Sequence, residues 1–290
     1  MIKGKLEMAK DTENIWLENL KRQVGIRRGI ILHGDVLDVF HDINGTYHPI
    51  LDVVIRTLKE RGFNEVVVWD RFSGVENISH DKWTSLAKEV TFGSSNDDDS
   101  EDDYDVGTRN APTDTSQGVT PLNADDFLAV VYHHMIHPKK ERIAFVMDWS
   151  QYLFGNANAL SEQERQWLMI ISKAIRNAPV PLDDIDELSK PTNVVVLLCQ
   201  RLGTIPPSLF QSNPSIQEIL VSPPGRIERE QFIKRNFDKW SLRATPKPGE
   251  LAFSDFVDSL EGMSLRDLQQ LVRLSRQIHG DPLTYERLIN

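Results

Sequence analysis

Three aspartates stand where an α/β protein could use them for chemistry. Asp35, Asp70 and Asp148 each end or directly follow a short apolar run: Arg28-Gly-Ile-Ile-Leu-His33-Gly34, Glu65-Val-Val-Val-Trp-Asp70 and Arg142-Ile-Ala-Phe-Val-Met-Asp148. Runs apolar along their whole length read as buried parallel strands, and an acid at the end of such a strand is delivered to the sheet edge where ligands bind. Three carboxylates converging there could hold Mg²⁺ or Mn²⁺ for phosphodiester cleavage. Histidine offers two weaker metal sets. His33, His41 and His48 surround the first loop at irregular spacing, and His133, His134 and His137 have helical i, i+3/i+4 spacing, which more often marks ordinary partly buried positions.

The elements that must position these residues alternate. After an amphipathic segment at 11–24, with Ile15, Trp16, Asn19, Leu20 and Val24 on one face, come strands at Arg28–Gly34, Glu65–Asp70, Ile143–Asp148, Asn193–Cys199 and Ile216–Val221. Helices are expected between them. One runs from Pro49 to Gly62, with proline at its start and glycine at its stop; one opens at Asn123, and one opens on the capping box Ser161-Glu-Gln-Glu164. Asp35 to His48 reads as a loop. Beyond Pro223 strands cease, and helices are expected at Gly225–Trp240, Glu250–Leu260 and Ser264–His279, the last turning Leu265, Leu268, Leu271, Val272 and Ser275 inward. The fold class is α/β, a three-layer core with a five-stranded parallel sheet followed by a small all-helical lid. The expected organisation is an N-terminal helical segment at 1–24, a core at 25–224 and a lid at 225–290. A disordered acidic insertion at 93–123 interrupts the core.

Composition narrows the function classes. Hydrophobic residues at 40% and charged residues at 26% of 290 are ordinary for a globular chain. A net charge of −10 argues against a general nucleic-acid surface, although Asp97–Asp105 alone holds seven acids and no base. The single cysteine, Cys199, excludes an internal disulfide and a Cys-rich zinc site. No apolar run reaches the roughly 20 residues of a membrane span, and the N-terminus lacks a signal-peptide core. A cytoplasmic protein is expected.

Order and spacing carry a family likeness. Gly29–Gly34 resembles the strand that leads into the phosphate loop of AAA+ ATPases, and Ile143–Asp148 resembles their Walker B strand. Asn193–Gln200 resembles the sensor 1 strand. Ile219-Leu-Val-Ser-Pro-Pro224, with Arg229 after it, resembles the hinge, and Gly262-Met-Ser-Leu-Arg266-Asp-Leu the lid segment carrying sensor 2. The resemblance implies a P-loop NTPase-like core with a helical lid. It places Gly34, Asp148, Gln200 and Arg266 at a vestigial or weak nucleotide pocket.

The chemistry departs from that family. The stretch after Gly34 has no Gly-Lys-Thr/Ser, and no lysine lies between Gly34 and Lys59. Asp35, Asp38 and Asp42 stand there instead, and each would repel a triphosphate by on the order of 3–4 kcal/mol at about 4–6 Å and an effective dielectric of about 20. Trp149 follows Asp148 where the family has glutamate, and no arginine lies between Leu202 and Gly225. Phosphoryl transfer depends on these parts acting together. The expectation is a catalytically inactive AAA+-like module that hydrolyses no ATP by itself. It would act as a scaffold, regulatory or oligomerisation tier within a larger ATPase machine, with protein partners, itself, or active AAA+ domains in a ring or hetero-oligomer. No cofactor is expected, with ATP, ADP or Mg²⁺ at most weakly bound. Two alternatives remain: a metal-dependent phosphodiesterase or nuclease using Asp35, Asp70 and Asp148, as Rossmann-like nucleases do, and nucleotide binding without hydrolysis.

Overall fold

A computed structural model describes residues 15–41, 46–93, 123–179, 192–241 and 247–277. Within them the chain runs α1 (Ile15–Gln23), β1 (Gly29–Gly34), β2 (Val39–His41), β3 (Tyr47–Pro49), α2 (Ile50–Glu60), β4 (Glu65–Asp70), β5 (Gly74–Glu76), α3 (His80–Gly93) and α4 (Ala124–Ile136). It continues β6 (Ile143–Met147), α5 (Glu162–Asn177), β7 (Val194–Cys199), a one-turn α6 (Pro207–Phe210), β8 (Ile216–Val221), α7 (Arg226–Arg235), α8 (Leu251–Ser259) and α9 (Leu265–Gln277). The acidic stretch expected to be disordered lies, apart from Gly93 and Asn123, outside the described residues, as does Asp42.

The main sheet has the order β5-β4-β6-β7-β1-β8. Parallel registers pair Glu65 with Ile143 through Trp69 with Met147, and Ala144 with Val194 through Met147 with Leu197. At β1 and β8 the backbone bonds Arg28 N–H to Ser215 O and Asp35 N–H to Val221 O advance together along both strands, so this pair is parallel too. The five expected parallel strands are present. A sixth, β5, was not expected; it runs antiparallel to β4 at the edge, pairing Val68 with Glu76 and Asp70 with Gly74. The loop expected at 35–48 also holds structure, because β2 and β3 form an antiparallel pair, Val39 with Pro49 through His41 with Tyr47. Strands of three residues are too short to show a period-two pattern, and only the fold reveals them.

The chain divides into two compact units, one of Met1–Lys21, Leu32–Arg56 and Ile219–Asn290, the other of Arg22–Ile31 and Thr57–Glu218. In the second unit α4 and α5 cover β4, β6 and β7. Phe127 stacks on Trp69 with ring centroids 4.9 Å apart, in a core with Phe145, Ile171, Ile175 and Leu197. Capping follows the sequence. Asn123 accepts from Asp125 N–H, and Ser161 and Glu164 close the capping box of α5. Asn193 does a job that no local pattern announces. Its amide, 2% exposed, accepts the Ile143 N–H at 2.9 Å and donates to the His134 carbonyl at 2.7 Å, tying the starts of β6 and β7 to α4.

In the first unit Phe232, Ile233, Trp240, Phe253, Phe256, Val257, Leu260, Leu265, Leu268 and Val272 form a separate core with Val39. Ser275 is buried as expected of α9, and Leu271 packs partly buried against the cluster. In α1, Trp16 and Leu20 are buried, and Trp16 meets Phe40 edge-on at 5.0 Å, whereas Ile15 points outward. No helix among the described residues is long and apolar enough to cross a membrane.

Replacing Asn193 by alanine leaves a buried N–H and a buried carbonyl without partners. Asn193→Ala is expected to lose about 2–4 kcal/mol of stability in urea denaturation. A loss within about 0.5 kcal/mol, the range of an ordinary surface substitution, would contradict that role.

Candidate functional site

In the first unit the chain leaves β1 through a residue that must be glycine. Gly34 has φ +109°, and a Cβ there would lie 2.5 Å from the Val221 carbonyl oxygen. That oxygen takes the Asp35 N–H at 2.9 Å, so the backbones meet too closely for any side chain. Four residues on, Asp38 is 2% exposed, yet its carboxylate is well supplied. One oxygen accepts the Leu265 N–H at 2.8 Å, the other the Arg266 N–H at 2.7 Å, and the Val39 N–H adds a third bond. Leu265 and Arg266 open α9, whose first amides have no partner within the helix. Ser264 and Asp267 complete the cap by exchanging side-chain to backbone bonds, each 3.1 Å long. A carboxylate at a helix N-terminus also meets the positive end of the macrodipole.

The neighbourhood is acidic. Burial, with Asp38 and Asp267 adding repulsion, pushes the Asp35 carboxyl up to about 6. Burial also raises Asp38, against the pull of its three backbone bonds, and raises Glu228, whose carboxylate accepts the Gly225 N–H at the start of α7. A small open pocket lies beside them, lined by Asp38, His41, Tyr47, Glu228, Gln231 and Arg235 among others. It has about 30 Å³ for solvent centres, room for two or so ordered waters and far too little for a nucleotide. Arg266 serves through its backbone N–H; its side chain is exposed. Arg229 is buried and donates to the Pro224 carbonyl at 2.8 Å, bracing the turn into α7.

In the second unit Asp70 and Asp148 end neighbouring strands. Asp70 accepts the Phe72 and Ser73 N–H groups at 2.6 and 2.8 Å, holding the turn into β5. Asp148 accepts the Trp149 N–H at 2.8 Å, and its own N–H continues the ladder to Trp69 O. Burial raises the Asp148 carboxyl, with repulsion from Asp70 and Glu76 adding to the effect. Gln200 is exposed at the end of β7, and Cys199 is buried, its thiol pushed up to about 12. Of the candidate nucleotide residues, Gly34 and Arg266 thus fall in one unit, Asp148 and Gln200 in the other. Among the described residues no set of three or more His, Cys, Asp or Glu is disposed to hold a metal ion. His134, one of the helical histidines, is a core residue with Nε2 3.1 Å from the Leu86 carbonyl.

The sequence model of the AAA+ chaperone N-terminal Rossmann-like domain matches residues 14–222. The chain belongs to that family. Its AAA+ fold is also similar to a solved structure described as the HORMA:CdnC:Trip13 complex of E. coli MS115-1, at 10% identity and TM-score 0.48 over 99% of this chain and 80% of that one. No curated protein matches the chain. Within this AAA+ module the role missed from sequence is that of Asp38, which read only as a charge opposed to phosphate. The Ser264-x-x-Asp267 box was a readable sign that a helix starts there. The carboxylate that reaches its amides comes from 227 positions away and leaves no local trace.

A carboxyl pushed up on folding destabilises the native state wherever it must ionise. The unfolded Asp35 ionises near about 3.9, so stability falls as pH rises from there through the folded value of about 6, and the whole penalty stands above it. Asp35→Asn is therefore expected to stabilise the protein by about 1 kcal/mol at about pH 7.5, after discounting for screening of a partly exposed group, and by almost nothing at about pH 4. Urea midpoints at the two pH values check this; an equal effect at both would contradict it.

Proposed function

We propose that this AAA+ module is catalytically silent and works through protein contacts, as a scaffold, regulatory or oligomerisation tier beside active AAA+ domains in a larger cytoplasmic ATPase machine. The observation that carries the reading is Asp38. The segment that follows β1 resembles in position a phosphate-binding loop, whose amides face an anion. Here the segment contributes the anion, and the amides belong to the first turn of α9. With Asp35 and Glu228 alongside and no lysine between Gly34 and Lys59, the surroundings of Gly34 favour loss of a phosphate over its capture. The absence of glutamate after Asp148 and of an arginine between Leu202 and Gly225 supports the same reading for hydrolysis.

Residual binding of ATP or ADP through the Gly34 backbone and the Arg266 side chain would be weak. Calorimetry with each nucleotide and Mg²⁺ is expected to give dissociation constants no tighter than several hundred micromolar, roughly −5 kcal/mol, and a coupled assay to give no ATP turnover. Turnover that disappears in Asp148→Ala would overturn the proposal. Mn²⁺-dependent cleavage of nucleic acid that disappears in Asp70→Asn would replace it with the phosphodiesterase reading.

A further inference from the structure

The strand-end acids of the second unit organise an aromatic surface. By fixing the Phe72 and Ser73 amides, with Gly74 at φ +76°, Asp70 holds a three-residue turn that carries Phe72 outward, 90% exposed. On the adjacent strand Asp148 holds the Trp149 amide, and Trp149 sits in the left-handed region at φ 51°, 41% exposed. A single 3₁₀ turn, Ser150–Tyr152, then brings Tyr152, 63% exposed, under the indole, with centroids 6.1 Å apart and planes inclined by 29°. The register Trp69 with Met147 makes Asp70 and Asp148 the next residues on neighbouring strands, so both turns leave the same edge side by side. Arg71 is exposed between the two turns, its guanidinium 5.5 Å from the Trp167 ring centre and bonded to the Tyr152 carbonyl. That cation is occupied by these contacts, and two carboxylates beside it, half-buried Asp148 and exposed Glu76, leave the edge negative. Asp148 faces repulsion from Asp70 and from the exposed Glu76, and among the described residues its carboxylate accepts only the Trp149 N–H.

We propose that this edge is a docking surface for a basic protein segment, one that sets an arginine or lysine beside an apolar residue. The aromatic trio would receive the apolar residue. The stacked Trp149–Tyr152 pair and the Asp148 and Glu76 carboxylates would receive the cation by cation–π and charge-assisted contacts. Tryptophan, tyrosine and phenylalanine are the residues that dominate interface energetics, and their turns are held by carboxylate bonds before any partner arrives. The local charge selects a basic partner and repels acidic protein and nucleic acid. This inference rests on the reading of the module as a partner-binding tier and gives that partner a chemistry.

Trp149 supplies its own reporter, because Trp16, Trp69, Trp83, Trp167 and Trp240 are all buried. The probe is an acetylated, amidated peptide of alternating leucine and arginine, with a leucine–glutamate peptide as control, and the readout is acrylamide quenching of the full chain. The arginine peptide is expected to shield Trp149 in a saturable and salt-sensitive way, and the glutamate peptide is not. Phe72→Ser with Tyr152→Ser, and separately Asp148→Asn with Glu76→Gln, should each weaken binding about tenfold. Their thermal midpoints, measured beside the wild type, show that the fold is kept. Equal shielding by both peptides, no shielding, or affinity unchanged in the variants would overturn the inference. So would shielding that appears without peptide as protein concentration rises, since the surface would then be covered by a second copy. ATP turnover would sink the silent-module reading and leave these peptide results standing, so the two failures are distinguishable.

Discussion

The first unit depends on a buried carboxylate under the first amides of a helix. Asp38 has lost nearly all contact with water, and an uncompensated charge in that position would cost several kcal/mol. It is tolerable because two N–H groups of α9 and the N–H of Val39, where β2 starts, converge on it, and because those helix amides would otherwise be orphaned. Each side solves the other's desolvation problem. The bond therefore works as a fastening between the connection that leaves β1 and the helices after Pro224, and the core of Val39, Phe232, Phe256 and Leu265 is built around it. In a phosphate-binding loop, amides wait for an external anion. Here anion and amides belong to one chain and are already matched.

The same chemistry recurs in the second unit at smaller scale. Asp70 and Asp148 have the placement of metal ligands, one strand apart at the end of a parallel pair, yet each has backbone amides as its partners. A carboxylate accepting N–H bonds in a turn is an ordinary stabilising device. What is less ordinary is what the turns carry, since Phe72 and Trp149 are large apolar residues held out of the core by turns that these bonds fix. Only Oδ1 of each acid is engaged by these turns, which leaves Oδ2 of Asp148 open to a donor from outside. An open acceptor beside exposed aromatic rings is the physical reason to read the edge as a recognition surface.

Much of the fold could be read ahead of the coordinates, and the reasons are local. Val66 to Trp69, Ile143 to Met147 and Val194 to Cys199 are unbroken apolar runs, which only strands covered on both faces can bury. Ser161 with Glu164 marks the first turn of α5, and Gly62 at φ +93° marks where α2 stops. The errors are equally specific. β2, β3 and β5 are three residues long, so their pairing is decided by the turns and by what packs beside them. Ile15 fits the apolar stripe of α1 and still faces solvent, because Trp16 and Leu20 supply the side that meets Phe40. His134 has ligand-like spacing, but burial beside the Leu86 carbonyl makes it a core residue.

What the sequence alone determined is therefore the family likeness, the alternating α/β order with helices at the end, and the chemistry missing after Gly34: these follow from composition, periodicity and the absence of particular side chains. What only the tertiary structure decided is where the remaining charges go. Asp35, Asp38, Asp70 and Asp148 look alike in sequence, each an acid beside a strand. They differ in their partners, and Asp38 finds its own 227 positions away. A carboxylate's role is set by the donors within about 3 Å of it. Those donors are backbone amides of distant segments, whose position depends on the packing of whole helices and strands and is written in no residue's identity.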